Sequence, residues 1–262
     1  MSISVHDQSQ DLRLTVLGSS TPYPRADNPC SGYLVESGST KLWMEAGTGT
    51  LGPLQRYTSL EQLDAVWISH LHADHSADLL AAFYGLMYSD NRRSSPLPLF
   101  GPPGIEGRLA HYLTNGSTVA PIASAFDVHE LHDGHEAQVG SLALKTRSVS
   151  HGIPAFGVRV SSSSASLVFS GDTAPCENLT ELALGCSALL CESESNEAPK
   201  DETQVHHTPE DTGRTAAAAR AGKLIVTHVG RFLTPHDALE RAATAYDGHI
   251  EFATPGATIT IR

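Results

Sequence analysis

A chain of 262 residues can bury one large core or two small ones, and with 40% hydrophobic, 6% aromatic and 18% charged residues it reads as an ordinary globular protein. Seventeen basic against 29 acidic residues give a formal charge of -12, which argues against partners gripped through a long phosphate backbone or an anionic membrane surface. The polar opening MSISVHDQSQ has no basic stretch leading into an apolar one, and no window approaches the roughly 20 apolar residues of a spanning helix, so a cytoplasmic protein is expected.

In chain order, short β-branched and apolar runs predict strands over Leu12–Leu17, Gly32–Val35, Lys41–Glu45 and Ala65–Ser69. Helices are predicted over Ser76–Met87 and Pro103–Tyr112, separated by the loop SDNRRSSPLP. Strands return over Leu142–Val149, Ala155–Val160 and Ser166–Ser170, the last two joined by the Ser161–Ser164 turn as a hairpin. A strand over Ala188–Cys191, an Ala-rich helix over Pro209–Ala221 and a strand over Leu224–Thr227 complete the pattern. No linker separates the halves, so residues 1–262 are expected to form one domain, with residues 1–10 a flexible extension. The acidic stretch Glu192–Val205 reads as a solvated surface connection, or else as a lid beside the site.

Four cysteines, Cys30, Cys176, Cys186 and Cys191, lack paired CxxC spacing and read as reduced thiols. Fourteen histidines are the compositional oddity, because neutral imidazole is the commonest metal ligand. Immediately after a predicted strand stand His70, His72, Asp74 and His75, four ligand-type side chains within six positions. Leaving a strand, His70 and His72 can point the same way while Asp74 and His75 open a helix and face a second position, so one segment can feed two metals. His151, Asp172 and His228 each follow an apolar β run, where sites of α/β proteins are built. Singly, each has a plainer explanation: a turn residue, an Asx-turn or cap, and a satisfied core histidine. His6, His111, His129, His132, His135, His236 and His249 have no such company and read as surface or core residues.

The order His70-x-His72-x-Asp74-His75, His151, Asp172, His228 resembles the metallo-β-lactamase superfamily over essentially the whole chain. More narrowly, His151-Gly-Ile-Pro-Ala-Phe-Gly157, Phe169-Ser-Gly-Asp172-Thr173 and His206-His-Thr208 running into a helix resemble its ribonuclease Z-like branch, whose compact members include cyclic-nucleotide phosphodiesterases. The resemblance implies an α/β fold, a four-layer αβ/βα sandwich with a dinuclear metal site at one edge. It implies that His70, His72 and His151 hold one ion and Asp74, His75 and His228 the other, with Asp172 bridging. Zinc suits this imidazole-rich set, with manganese and iron as alternatives. Two such ions roughly 3.5 to 4 Å apart make a bridging hydroxide available near neutral pH, and two divalent ions with two carboxylates leave a local charge of about +2 that draws in an anion despite the acidic chain. The resemblance further implies that Asp74 ligates, orients the hydroxide and takes its proton, and that His206 protonates the leaving oxygen or holds a phosphate oxygen. His207 is read as its surface neighbour.

The tRNA-gripping arm of ribonuclease Z proper has no room here, because only Gly152–Gly171 separate His151 from Asp172, and they read as one hairpin. A small anionic substrate such as a cyclic nucleotide is therefore expected, not long nucleic acid. Arg92 and Arg93 are candidates for phosphate contacts or for plain solvation. Glu45 stands where the superfamily usually has Asp, one methylene shorter, and Gly18–Pro24 resembles the loop beside the site, or an ordinary turn. The alternatives are an acyl hydrolase such as a lactonase, thioesterase or β-lactamase, a specialised biosynthetic enzyme, or a binding protein on the same fold. The family also implies a homodimer.

Overall fold

Alternation along the first strands dictates cover on both faces of a sheet. In β1 (Leu12–Gly18), Leu12, Leu14 and Val16 oppose Leu17; in β2 (Gly32–Ser37), Tyr33 and Val35 oppose Leu34; in β3 (Thr40–Met44), Leu42 and Met44 oppose Trp43. All are buried, so neither face is left to water. The computed structural model describes residues 11–90, 92–116 and 120–262, and the extension expected over residues 1–10 lies outside them.

β1 to β3, β4 (Ala65–Trp67), β5 (Leu97–Gly101), β6 (Phe126–Glu130) and the last strand form one seven-stranded sheet. The second sheet holds β7 (Glu136–Val139), β8 (Leu142–Ser148), β9 (Phe156–Ser161), β10 (Ser166–Phe169), β11 (Ala188–Ser193), β12 (Lys223–Val229) and β13 (His249–Phe252). The chain then returns through β14 (Thr258–Ile261) to pair antiparallel with β1. Both sheets are mixed: β3 to β6 run parallel in one and β10 to β13 in the other.

Between the sheets lies one apolar cluster, in which Leu14, Tyr33 and Trp67 meet Phe169, Leu190 and Ile225. Outside the first sheet, Leu34, Trp43 and Val66 pack against α1 (Leu51–Leu54), α3 (Asp78–Tyr88), α4 (Ile105–Thr114) and α5 (Ala120–Ala125); α2 (Ala73–Ser76) precedes α3. Outside the second, Val168, Leu189 and Val226 pack against α6 (Glu177–Ala183), α7 (Pro209–Ala218) and α8 (Pro235–Ala242). This is the four-layer αβ/βα sandwich. No helix among the described residues is long and apolar enough to cross a membrane.

The expected strands occur with ends shifted by a few residues, and Ser161–Ser166 does close a hairpin. The helix expected from Ser76 begins at Asp78, after a separate short turn of helix, because His75 and Ala77 donate their N–H groups to the carbonyls of His72 and Ala73 and close that turn first. The Glu192–Val205 stretch is no uniform solvated loop: Glu192 and Ser193 end β11 and are buried, while residues 196–203 are exposed. Arg241 of α8 pins Asn196 through its side-chain and backbone oxygens at 3.0 and 2.7 Å.

Helix α7 starts on a capping box. Thr208 Oγ1 accepts from the Asp211 N–H at 3.2 Å, Asp211 Oδ2 accepts from the Thr208 N–H at 3.2 Å, and Pro209 opens the helix. Thr208→Ala is expected to lower the unfolding free energy by about 1 to 2 kcal/mol, read as a shifted urea midpoint at constant m-value. An unchanged midpoint would show that the cap contributes nothing here.

Candidate metal centre

β8 and β10 both run antiparallel to β9, so they share a direction with the parallel strands β11 and β12. His151, Asp172 and His228 therefore sit at or just beyond strand ends on one edge of the second sheet, and the segment after β4 brings His70, His72, Asp74 and His75 against them. Glycines make the approach close enough: a Cβ at Gly47 would meet the Asp74 carbonyl oxygen at 2.1 Å, and one at Gly171, φ +61°, the Phe156 oxygen at 2.5 Å. Two non-glycine residues, Glu45 and His228, also hold left-handed φ values of 65° and 50°, strain that clusters where geometry is enforced.

The seven side chains gather as His70, His72, His151 and Asp172 on one side and Asp74, His75 and His228 on the other. Asp172 touches both: its Oδ2 is 3.6 Å from His70 Nε2 and 3.3 Å from His228 Nε2, and its Oδ1 is 3.2 Å from His75 Nε2. Asp74 Oδ2 lies 3.7 Å from His75 Nε2 and 3.8 Å from His228 Nε2. His72 Nδ1 stands 3.0 Å from His70 Nε2 and 3.4 Å from His151 Nε2. Ligand atoms bound at about 2.05 Å to one tetrahedral ion are about 3.3 Å apart, the scale of these separations.

The outer nitrogens of four rings are occupied, and the inner ones of His75 and His228 are not. Nδ1 of His75 donates to Glu45, Nδ1 of His151 to the Val205 carbonyl at 3.0 Å, and Nδ1 of His70 to Ser69 Oγ at 2.9 Å, while Nδ1 of His228 shares a hydrogen bond with Ser31 Oγ at 2.8 Å. Among the described residues, His75 Nε2, His228 Nε2 and Asp172 Oδ1 are buried without a hydrogen-bond partner. Imidazoles steered at Nδ1 with free Nε2 atoms turned on a buried carboxylate are the arrangement that metal ligation uses, and the donor set fits divalent cations.

Electrostatics agree. Burial opposes ionisation of Asp172, but His228, His75 and His70 outweigh it and hold the carboxyl well below the usual carboxylate range. Burial also opposes a charge on His75, yet Asp172 and Glu45 carry its pKa well above the ordinary imidazole value. Burial, helped by His75, pushes His70 well below that value. A pocket that keeps its carboxylate ionised and some of its imidazoles neutral is prepared for a cation.

His206 stands at the rim, its Nδ1 donating to Glu192 Oε1 at 2.9 Å and lying 3.9 Å from Asp172 Oδ2. Burial is outweighed by Glu192, and the pKa of His206 is raised to about 9. His207 is not the surface neighbour expected from the sequence but fully buried, donating to the Thr173 carbonyl at 2.6 Å and meeting Thr215 Oγ1 at 2.9 Å. Of the arginines considered for phosphate, Arg93 is a structural clamp on the carbonyls of Leu63 and Glu61 at 2.6 and 2.9 Å. Of the remaining histidines, His129 and His135 pack on Phe100, His111, His132, His236 and His249 are exposed, and His6 lies outside the described residues.

Three partners escaped sequence reasoning: Ser31, Ser69 and Glu192. Glu192 carried the signal that singled out Asp172 and His228, an acid or base ending an apolar β run, but its acidic followers masked it. Besides His206 it accepts from the N–H groups of Thr173 at 2.7 Å and Glu194 at 3.0 Å.

Residues 40–229 match the model of the beta-lactamase superfamily domain. An uncharacterized protein of Mycobacterium tuberculosis is 34% identical, over 98% of this chain and 95% of its own. A ribonuclease Z of Mycolicibacterium gilvum is 30% identical, over 92% of this chain and 93% of its own. In structure, the metallo-beta-lactamase fold protein YhfI of Bacillus subtilis superposes with a TM-score of 0.84 at 23% identity, covering 96% of this chain and 99% of that one. The short form of human tRNase Z gives 0.75 at 19% identity, covering 95% and 99%. With its two seven-stranded sheets, its strand-end histidines and aspartates and these relatives, the chain belongs to the metallo-β-lactamase superfamily, in its ribonuclease Z-like branch.

Proposed function

We propose that the protein is a dinuclear metal-dependent phosphodiesterase acting on a small phosphodiester such as a cyclic nucleotide, with zinc as the metal. The observation that carries this reading is the pair of ligand sets joined by one buried carboxylate, Asp172, with a carboxylate-held histidine, His206, beside it. Two divalent ions, when bound, supply a water of lowered pKa and polarise a phosphoryl oxygen. Asp74 would orient the attacking water and take its proton. Held at Nδ1 by Glu192, His206 keeps its other ring nitrogen for the leaving oxygen, and the raised pKa leaves it a proton to give at neutral pH.

The relatives called ribonuclease Z support phosphodiester chemistry, and the charge of -12 favours a small substrate over RNA. Only the β9–β10 hairpin and its flanking turns lie between His151 and Asp172, so that interval offers no long arm for a folded RNA.

Zinc-loaded protein should hydrolyse bis(p-nitrophenyl) phosphate, lose that turnover with a chelator and regain it when zinc is restored, while lactones and thioesters in parallel wells stay intact. Cyclic nucleotides are the next substrates. Acyl turnover without phosphodiester turnover would move the protein to the acyl hydrolases, and silence on every substrate would defeat both readings.

A further inference from the structure

A groove of about 440 Å³ lies between the loop after β1, helix α1 and the turn before β14, and no residue lining it is a candidate metal ligand. Its volume falls in the roughly 300 to 1,000 Å³ range of small-molecule sites. Arg25 and Arg56 line it, with Tyr57 and the prolines Pro29, Pro53 and Pro255.

The walls are held in place. Arg25 and Asn28 exchange backbone hydrogen bonds at 2.9 and 3.1 Å, Asn28 Oδ1 accepts from the Ser19 N–H at 3.0 Å, and Tyr57 Oη donates to the Gly256 carbonyl at 3.3 Å. Several other arginines are held, Arg147 by Asp133, Arg214 by Asp211 and Arg241 by Glu210, and Arg93 and Arg159 by backbone carbonyls. Arg25 and Arg56 have no such partner among the described residues, and Asp27, which shares the groove, pairs with neither.

We propose that this groove binds a nucleoside monophosphate, its phosphate between the Arg25 and Arg56 guanidiniums and its ring system against Tyr57 and the proline walls. Guanidinium forks match phosphate oxygens, and a rigid aromatic and proline surface offers flat apolar contact without further ordering. The assignment stands independently of the phosphodiesterase reading. The groove nonetheless neighbours the metal centre, because Ser31, two residues beyond Pro29, bonds His228.

The test is calorimetric titration of adenosine monophosphate into the full-length, metal-loaded protein. Sub-millimolar binding that weakens with added salt is expected. Arg25→Ala and Arg56→Ala should each weaken it roughly tenfold, the loss of one charge-assisted contact, with metal content and unfolding midpoint unchanged. Tyr57→Ala should weaken the nucleotide but leave inorganic phosphate as it was. The proposal is overturned by absence of binding at millimolar nucleotide, or by affinity that survives Arg25→Ala/Arg56→Ala but vanishes in Asp172→Asn, which would place the ligand at the metals. Equal affinity for inorganic phosphate and the nucleotide would remove the nucleoside from it.

Discussion

On the dinuclear phosphodiesterase reading proposed above, replacing Asp172 by asparagine should cut bound metal from two ions per chain to one or fewer and slow phosphodiester turnover by roughly 10³-fold or more, because a positioned ion supplies several kcal/mol of transition-state stabilisation. Asn keeps the volume and one carbonyl oxygen, so the chain should still fold. What it loses is the ionised second oxygen, and Asp172 uses both: Oδ1 at 3.2 Å from His75 Nε2, Oδ2 at 3.3 Å from His228 Nε2 and 3.6 Å from His70 Nε2. Among the described residues, no other reaches histidines of both ligand sets with two separate oxygens. The three neighbouring imidazoles hold this carboxyl well below the usual range, so the native side chain is charged at neutral pH. The amide also offers an NH₂ that cannot ligate and would face His75 or His228. Elemental analysis together with turnover decides the matter, and two ions retained at full rate would remove Asp172 from the centre.

The site was legible in the sequence because its ligands are local and strand-bound. His70, His72, Asp74 and His75 fall in one turn after one strand, where period two aims His70 and His72 alike, whereas His151, Asp172 and His228, at or beyond the ends of three other strands, were assigned as ligands only through the family resemblance. Several of the elements that escaped are ones whose burial comes from elsewhere. β6 (FDVHE) and β7 (EAQV) are outermost strands with one apolar side at most, and β13 (HIEF) is only half-buried, so none carries the continuous apolar run that announced β10 to β12. Helices α6 and α8 are short, seven and eight residues, and their buried positions answer to strands far along the chain. The same distance hid Ser31, which is 197 residues from His228, and it hid the burial of His207 against Thr215 of α7.

Glu45→Ala should destabilise the fold by about 3 to 5 kcal/mol and abolish tight metal binding, whereas Glu45→Gln should fold and lose roughly 10- to 100-fold in metal affinity. The carboxylate is fully buried and has three bonds: Oε1 accepts from the Ser69 N–H at 2.6 Å, Oε2 from Ser69 Oγ at 2.8 Å and from His75 Nδ1. Ser69 Oγ in turn accepts from His70 Nδ1, so this one side chain steers an imidazole in each ligand set. Burial alone drives the Glu45 pKa up, and His75 with Ser69 pulls against it, so truncation leaves a buried imidazole and a buried amide without their acceptor. Gln keeps the shape and one acceptor oxygen, but its NH₂ opposes the N–H of His75 or the donors of Ser69. The usual aspartate is a further test of fit. Glu45 leaves a left-handed backbone at φ 65° and spans to both Ser69 and His75, and a side chain shorter by about 1.5 Å, one C–C bond, cannot keep all three contacts without moving the backbone. Glu45→Asp is therefore expected to bind metal more weakly than the native chain, as measured by competition with a chromophoric chelator. Native affinity retained in both Glu45→Gln and Glu45→Asp would show that Glu45 only fills space, and that His75 is oriented by packing alone.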